Sequence, residues 1–372
     1  MRPRVKGGGV PTMRRVVDMI ASCRWRHLLA AIAVFSLSAC STLGYYAQSI
    51  GGQMDVLSRR QPISRLVNND AQPPQLRARL ETVMRIRRFA SAVLMLPDNG
   101  SYTSYVDLGR PYAVWNVFAA PEFSLQLKEW CFPVAGCVRY RGYFSERAAQ
   151  AYAEDLANEG YDTWVGGAVA YSTLGWFDDP VFSTLMNLSD ARLAGVIFHE
   201  LAHQQLYVEG DTSFNEGFAV TVELEGVNAW LKSNGDAAAV AEYSRFLAHQ
   251  KGFVALVQRT HEQLQTLYDS DATALEKRRR KQHLFETMVS AYDNMKRRWG
   301  GWTGYDAWFA GGLNNAKLAA VSTYRDYVPL FRQLFRRSGG DFTAFYRAAA
   351  AIGALPKEQR LAHLREAASG KI

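Results

Sequence analysis

Residues 199–203 read His199-Glu200-Leu201-Ala202-His203, directly after an apolar and small-residue stretch from Leu193 to Phe198. The stretch suits a buried helix. On a helix, positions i and i+4 share one face about one turn apart. That spacing lets both imidazoles reach one tetrahedral zinc ion at ~2.0–2.1 Å. Glu200 lies about 100° further round the same helix, badly placed as a ligand of that ion but able to reach water beside it.

A catalytic zinc takes a third protein ligand and keeps one open position. Residues 214–219 read Phe-Asn-Glu-Gly-Phe-Ala and open a second helical pattern after a turn at Gly210-Asp211. The step from His203 to Glu216 accommodates a helix end, a loop and a return, so Glu216 is the expected third ligand. Gly217 and Ala219 are small enough to let two helices pack closely around the metal. Glu209 and Glu223 are rival acids. Glu209 follows His203 too soon. Glu223 sits two turns beyond Glu216 on the same face and suits a partner that orients a histidine.

Around this pair of motifs the chain divides by character. Residues 75–92 have a helical pattern with Leu76, Leu80, Val83 and Met84 on one side. Pro97-Asp98-Asn99-Gly100 is a turn cluster. Aromatic and β-branched runs at 102–106, 112–118 and 138–143 read as strands, 145–158 as a helix and 163–172 as another strand. Beyond 189 nearly everything is helical. The fold class is α+β, with a strand-bearing part at 75–188 and a helical part at 189–372. Residues 40–74 read as a tether and N-terminal segment, with any helix at 41–60 interrupted by Gly51-Gly52. The basic run 277–281 sits in a helix and reads as a solvated face.

The 372 residues carry a formal charge of +8 and are 48% hydrophobic. Residues 1–39 hold seven of the basic residues and one acid, so they account for +6 of that charge. They form a charged region followed by ten apolar or small residues, 28–37, too few to span a bilayer as a helix but fitting a secretory signal. The rest is near neutral, which removes the main support for a nucleic-acid partner. Met13 and Met19 are alternative starts. Cys131 and Cys137 remain downstream; in an oxidising compartment they are expected to close a short loop as a disulfide, the other reading being two buried thiols.

Two resemblances add to this. Leu37-Ser38-Ala39-Cys40 resembles the bacterial lipobox, which implies lipidation of Cys40, a membrane anchor through that lipid and a place in the cell envelope facing the periplasm, at the outer membrane. His-Glu-Leu-Ala-His-Gln (199–204) followed by Asn-Glu-Gly-Phe-Ala (215–219) resembles the gluzincin metallopeptidases of the alanyl-aminopeptidase type, with shorter spacing between the motifs. With the lipobox, length and helical second half, the chain looks most like the putative aminopeptidase lipoproteins of Gram-negative bacteria. The resemblance implies a zincin-like domain over 75–372, one zinc held by His199, His203 and Glu216, Glu200 as general base and a peptide substrate.

One departure matters. Aminopeptidases of that type carry a Gly-x-Met-Glu-Asn strand whose glutamate holds the substrate amine. The matching stretch here, Gly167-Ala168-Val169-Ala170-Tyr171, has no glutamate. Asp178-Asp179 are possible substitutes, although a turn before Pro180 explains them as well. Tyr324 and then Tyr171 are candidates for stabilising the oxyanion, and Asn314-Asn315 for capping a helix or touching substrate. A zinc endopeptidase and a non-catalytic binding lipoprotein remain as other readings.

Overall fold

The computed structural model describes residues 44–132, 136–173, 175–322 and 327–370. Two compact units divide at Asp55. In the first, residues 44–55 are helical straight through Gly51-Gly52, so the glycine pair does not interrupt the helix as expected. Among the described residues no helix is long and apolar enough to cross a membrane.

The second unit runs from Val56 onward. Its elements are β1 (Gln61–Pro62), α1 (Ile63–Val67), α2 (Pro74–Ala92), β2 (Ser104–Val106), β3 (Val114–Pro121), β4 (Trp130–Phe132), β5 (Gly136–Val138), β6 (Arg141–Tyr143), α3 (Glu146–Asn158), β7 (Tyr161–Ala168) and β8 (Val181–Phe182). Then come α4 (Asp190–Gln205), α5 (Thr212–Asn234), α6 (Ala237–Tyr268), α7 (Ala274–Arg298), α8 (Asp306–Ala310), α9 (Asn315–Ser322), α10 (Val328–Arg337), α11 (Phe342–Gly353) and α12 (Lys357–Ser369). The class is α+β. Residues 56–74, read with the tether from sequence, belong to this body because Ile63 and Leu66 are buried in its main core.

Three small sheets carry the strands: β1-β2-β8, β6-β3-β7 and the hairpin β4-β5. β3 is central and antiparallel to both neighbours, with Val114 opposite Ala168 and Pro121 opposite Tyr161. The expected strand at 163–172 is shifted. It starts at Tyr161 and stops at Ala168, after which the Val169 carbonyl turns to the Thr184 hydroxyl at 2.6 Å. The hairpin is closed by a Cys131–Cys137 disulfide, which pins two strands too short to be stable alone.

The helices follow their end signals. Pro73-Pro74 opens α2, where a missing N–H costs nothing. Asp211 caps α5 by accepting from Phe214 N at 3.2 Å. Gly235 closes α5 at φ +64°, a left-handed conformation that glycine adopts without strain. The main core buries α4, α5, α10 and α11 together, with Phe198, Phe214, Phe218, Phe331 and Phe345 all fully inside. A second core under α6 and α7 gathers Phe253, Tyr268, Phe285, Met288 and Tyr292.

Close approach of α4 and α5 is set by glycines other than the one expected. A Cβ on Gly217 would meet Tyr327 and Phe331 beside α10, not α4. The α4–α5 contact instead uses Gly195, against Glu223 and Val227, and Gly226, against Phe198. A methyl at Gly226 would lie 2.8 Å from Leu94 Cδ1 and 2.9 Å from Phe198 Cδ2. Gly226→Ala is therefore expected to overpack the core and destabilise the fold by about 1–3 kcal/mol, read from the midpoint of urea unfolding at unchanged slope.

Within the basic run at 277–281, Arg278, Arg279 and Arg280 are exposed, as a solvated face predicts, and the run also makes specific contacts. Arg278 grips the Glu122 carboxylate at 2.5 and 2.9 Å. Lys281 bonds Asp162 at 2.7 Å and the Glu122 carbonyl at 3.0 Å. The run ties α7 to the far ends of β3 and β7.

Candidate metal centre

Both histidines of 199–203 project from the last two turns of α4, and Glu216 from the first turn and a half of α5. The connector between the two helices is clamped at several points. Asn215 accepts from Val208 N and donates to Val208 O, each at 2.8 Å, so one buried amide satisfies the loop in both directions. Arg360 of α12 bonds Asp211 at 3.0 Å, and Lys357 donates to the Gly210 carbonyl at 2.7 Å. Each residue of 215–219 thus has a physical role. Asn215 fixes the connector, Glu216 faces the histidines, Gly217 makes room for α10, and Phe218 and Ala219 fill the core.

The donor atoms of His199, His203 and Glu216 all lie within 4.8 Å of one another, a grouping able to hold a metal ion. One Glu216 oxygen is 3.5 Å from His199 Nε2 and the other 3.6 Å from His203 Nε2. These separations are long for hydrogen bonds. Two imidazole nitrogens and a carboxylate aimed at a common point, none well satisfied by the others, match a His₂Glu set suited to zinc. Glu223 comes in from α5 to His199 Nδ1 at 3.1 Å. It fixes the tautomer in which Nδ1–H donates and the Nε2 lone pair faces Glu216, the usual arrangement around a metal-ligating histidine.

The electrostatics fit the same centre. Burial opposes charging of His199, but the Glu216 and Glu223 carboxylates prevail and raise it well above the ordinary imidazole value. Burial and the charge of His199 lower His203 to about 4, favouring its neutral form. Burial would raise Glu216, yet the two histidines hold it below the usual carboxylate value. Burial lifts Glu200 to about 7; His199 pulls down against this, while Glu216, Asp179 and Glu223 push up. A carboxyl with its pKa near the working pH has the property a general base at neutral pH needs.

Several sequence candidates lie elsewhere. Tyr171 packs between Phe182, stacked at 5.4 Å, and Phe144, edge-on at 5.7 Å, and its phenol is buried. This is the packed-tyrosine reading. Tyr324 and Cys40 lie outside the described residues, as does the whole signal segment. Asn314 accepts from Lys317 N at 2.9 Å and so caps α9, while its amide holds the Thr163 carbonyl at 2.8 Å. Asn315 bonds the Pro121 and Glu122 carbonyls and Tyr268. Both asparagines are structural here. Asp179, 1% exposed, accepts from Thr173 N at 2.9 Å, Thr173 Oγ1 at 2.8 Å and Ser172 Oγ at 3.3 Å. Its carboxylate is tied to Ser172 and Thr173 and, at 1% exposure, is closed to a substrate amine. Gly167 lies under the Tyr112 ring, 2.3 Å from where a Cβ would stand, so this glycine makes room for an aromatic ring.

One neighbourhood escaped the sequence reading. The turn at 97–102 docks on the end of α4: Asn99 donates to the Gln204 side chain at 2.8 Å, and Gln204 donates to Ser101 Oγ at 3.2 Å. Trp176 and Phe177, both exposed, sit on the loop whose Gly175 lies against Gln204. The only sequence signal was the turn cluster itself, a hundred residues away from the helix it touches.

No curated protein and no solved structure matches this chain. A family model described as "Putative aminopeptidase" matches residues 44–364. The match covers most of the chain and takes in the metal-centre residues, the docked turn and α4 to α11, so the protein belongs to that putative aminopeptidase family.

Proposed function

We propose that the protein is a zinc-dependent aminopeptidase of gluzincin type on a zincin-like fold. The observation that carries this is the convergence of His199, His203 and Glu216 with Glu200 beside them, inside a chain of the putative aminopeptidase family. His199 Nε2, His203 Nε2 and the Glu216 carboxylate would hold one zinc ion. When bound, the ion supplies a Lewis acid that polarises the scissile carbonyl and brings the pKa of water toward ~7. Glu200 accepts a proton from the attacking water and passes it to the leaving amine. Glu223 keeps His199 in the ligating tautomer throughout. Glu223→Gln weakens that anchor, and zinc affinity is expected to fall about 10–100-fold with the fold intact, as measured by competition with a chromogenic chelator.

A second reading has a specific observation behind it. In this reading Glu216 serves as a ligand, Glu223 anchors His199 at 3.1 Å, and Asp179 is bonded to residues 172–173. The substrate amine is left without an assigned carboxylate anchor. An endopeptidase does without that anchor. Measuring bound zinc, then comparing a peptide with a free N-terminus and its acetylated twin, decides the matter. Cleavage one residue from a free end, abolished by acetylation, supports the aminopeptidase. Equal cleavage of both supports the endopeptidase. A folded protein that takes up no zinc and stays inert would overturn both.

The resemblance of residues 37–40 to a lipobox supports a seat for this activity at the envelope, anchored through Cys40. Labelled palmitate is expected to enter the full chain in a Gram-negative host and to be lost in Cys40→Ser.

A further inference from the structure

None of the metal-centre residues lines a cavity of about 530 Å³ that lies between α6 and α7, a volume in the ordinary range for a ligand site. The two helices run antiparallel. Lys277 Nζ meets the Tyr268 carbonyl near their connection, and Gly252 lies against Met295 and Trp299 toward the other end. Gly252 lets the helices close there, with Met295 Cε and Trp299 Cζ2 each 3.0 Å from where its Cβ would stand. Leu256, Ala291 and Met295 make an apolar floor, the outer side of the second core. Above it stand Arg259, Arg297 and Arg298, all exposed. No acid lines the cavity; Glu262 and Asp293 belong to the same helices but are not part of its wall.

Helical side chains lean toward the N-terminus of their own helix. In an antiparallel pair, Arg259 and Arg298 therefore lean toward each other, and both reach the one cavity. Arg297 donates to Asn294 Oδ1, whereas Arg259 and Arg298 make no hydrogen bond or ion pair among the described residues. Neighbouring Lys296, by contrast, is matched by Asp306. The helix dipole accounts for cations in the last turn of α7, but Arg259 lies more than two turns before the end of α6. We propose that this cavity binds an anionic phospholipid. The guanidinium forks take the phosphate oxygens, and the apolar floor takes the first part of an acyl chain. An inorganic anion leaves the floor unused, and an uncharged chain leaves the arginines unused. A lipid, as against a soluble phosphate ester, is selected by the lipobox-like residues 37–40, which would hold the chain at a membrane surface. Neither zinc nor peptide cleavage enters into this binding.

The experiment titrates the full chain with dihexanoyl phosphatidic acid, kept below micelle formation so that no membrane or anchor is needed, and follows binding by calorimetry. Dihexanoyl phosphatidylcholine and inorganic phosphate are the controls. Phosphatidic acid is expected to bind at least about tenfold more tightly than either control. Its affinity should fall about tenfold in Arg259→Gln and about tenfold in Arg298→Gln, and should weaken as salt is added. Both variants should keep the wild-type thermal midpoint, because the two side chains are exposed and unpaired. Equal affinity for phosphatidylcholine would remove the role of the arginines, and equal affinity for inorganic phosphate the role of the lipid. Unchanged affinity in both variants would put the binding elsewhere on the chain. Any of these results, or no binding of phosphatidic acid at all, overturns the proposal, and none of them bears on whether the protein takes up zinc or cleaves peptides.

Discussion

Replacing Glu200 with glutamine is expected to reduce kcat by about 10²–10⁴-fold, the usual span for loss of a general base, while the protein keeps its zinc. The substitution preserves shape and removes the ability to take a proton. Two of the three proposed ligands are held by other means: His199 by Glu223, and Glu216 by the clamped connector and cap at the start of α5. Metal content of the variant should therefore equal that of the wild type, and KM should change little. Replacing an ionisable carboxyl in a buried setting by a neutral amide also removes the crowding of Glu200 with Glu216, Asp179 and Glu223. The thermal midpoint of the metal-free protein should hold or rise. Loss of activity together with loss of zinc would mean that Glu200 supports the metal centre and not the proton transfer.

The sequence pointed to the cluster of His199, His203 and Glu216 because its pattern is local. Two histidines one turn apart and an acid at the head of the next helix are readable as spacing, since a helix turns spacing into a face. Glu223 was legible for the same reason, two turns beyond Glu216. What spacing could not show is which small residue meets which neighbour. Gly217 stands inside the motif yet opens toward α10, a partner more than a hundred residues on, while Gly226, which carries no motif signal, sits at the α4–α5 contact. Ser101 and Gln204 were hidden for a related reason. Their relation is a tertiary contact between a turn and a helix end, and neither has any periodicity. The strand at 161–168 was found but placed slightly late, because its end is set by the Thr184 bond to Val169 and not by β-propensity. The basic run at 277–281 is exposed at Arg278, Arg279 and Arg280 as a solvated face would be, but its ties to Glu122 and Asp162 left no mark in the charge pattern, because those acids come from distant parts of the chain.

Arg87→Met is expected to cost about 3–5 kcal/mol of stability and to impair the site from a distance. Arg87 is 3% exposed on α2. Its guanidinium donates to Ser101 O at 2.9 Å, Pro97 O at 2.7 Å and Asn99 O at 3.1 Å, three carbonyls of a single turn. Asp98 approaches only to 3.6 Å and is largely exposed. Arg87 is thus less an ion-pair partner than the interior scaffold of the turn 97–101. Hydrogen bonds to a charged group contribute about 1.5–3 kcal/mol each, and stranded carbonyls add a desolvation cost. Methionine fills the volume but leaves those carbonyls without donors. The bonds share one side chain, so they do not add fully, which sets the range given. The turn also carries Asn99 and Ser101 onto Gln204, next to His203. Once loosened, it should release the end of α4, and kcat should drop more than KM changes. Arg87→Lys separates the two effects. A lysine keeps the charge but replaces a planar fork by a single point donor, so it should recover part of the stability and little of the turn's geometry. Chemical denaturation of both variants, beside hydrogen exchange at the amides of 98–102, checks this. Rapid exchange at 98–102 in Arg87→Lys with near wild-type unfolding free energy would show that the fork, and not the charge, holds the turn against the end of α4.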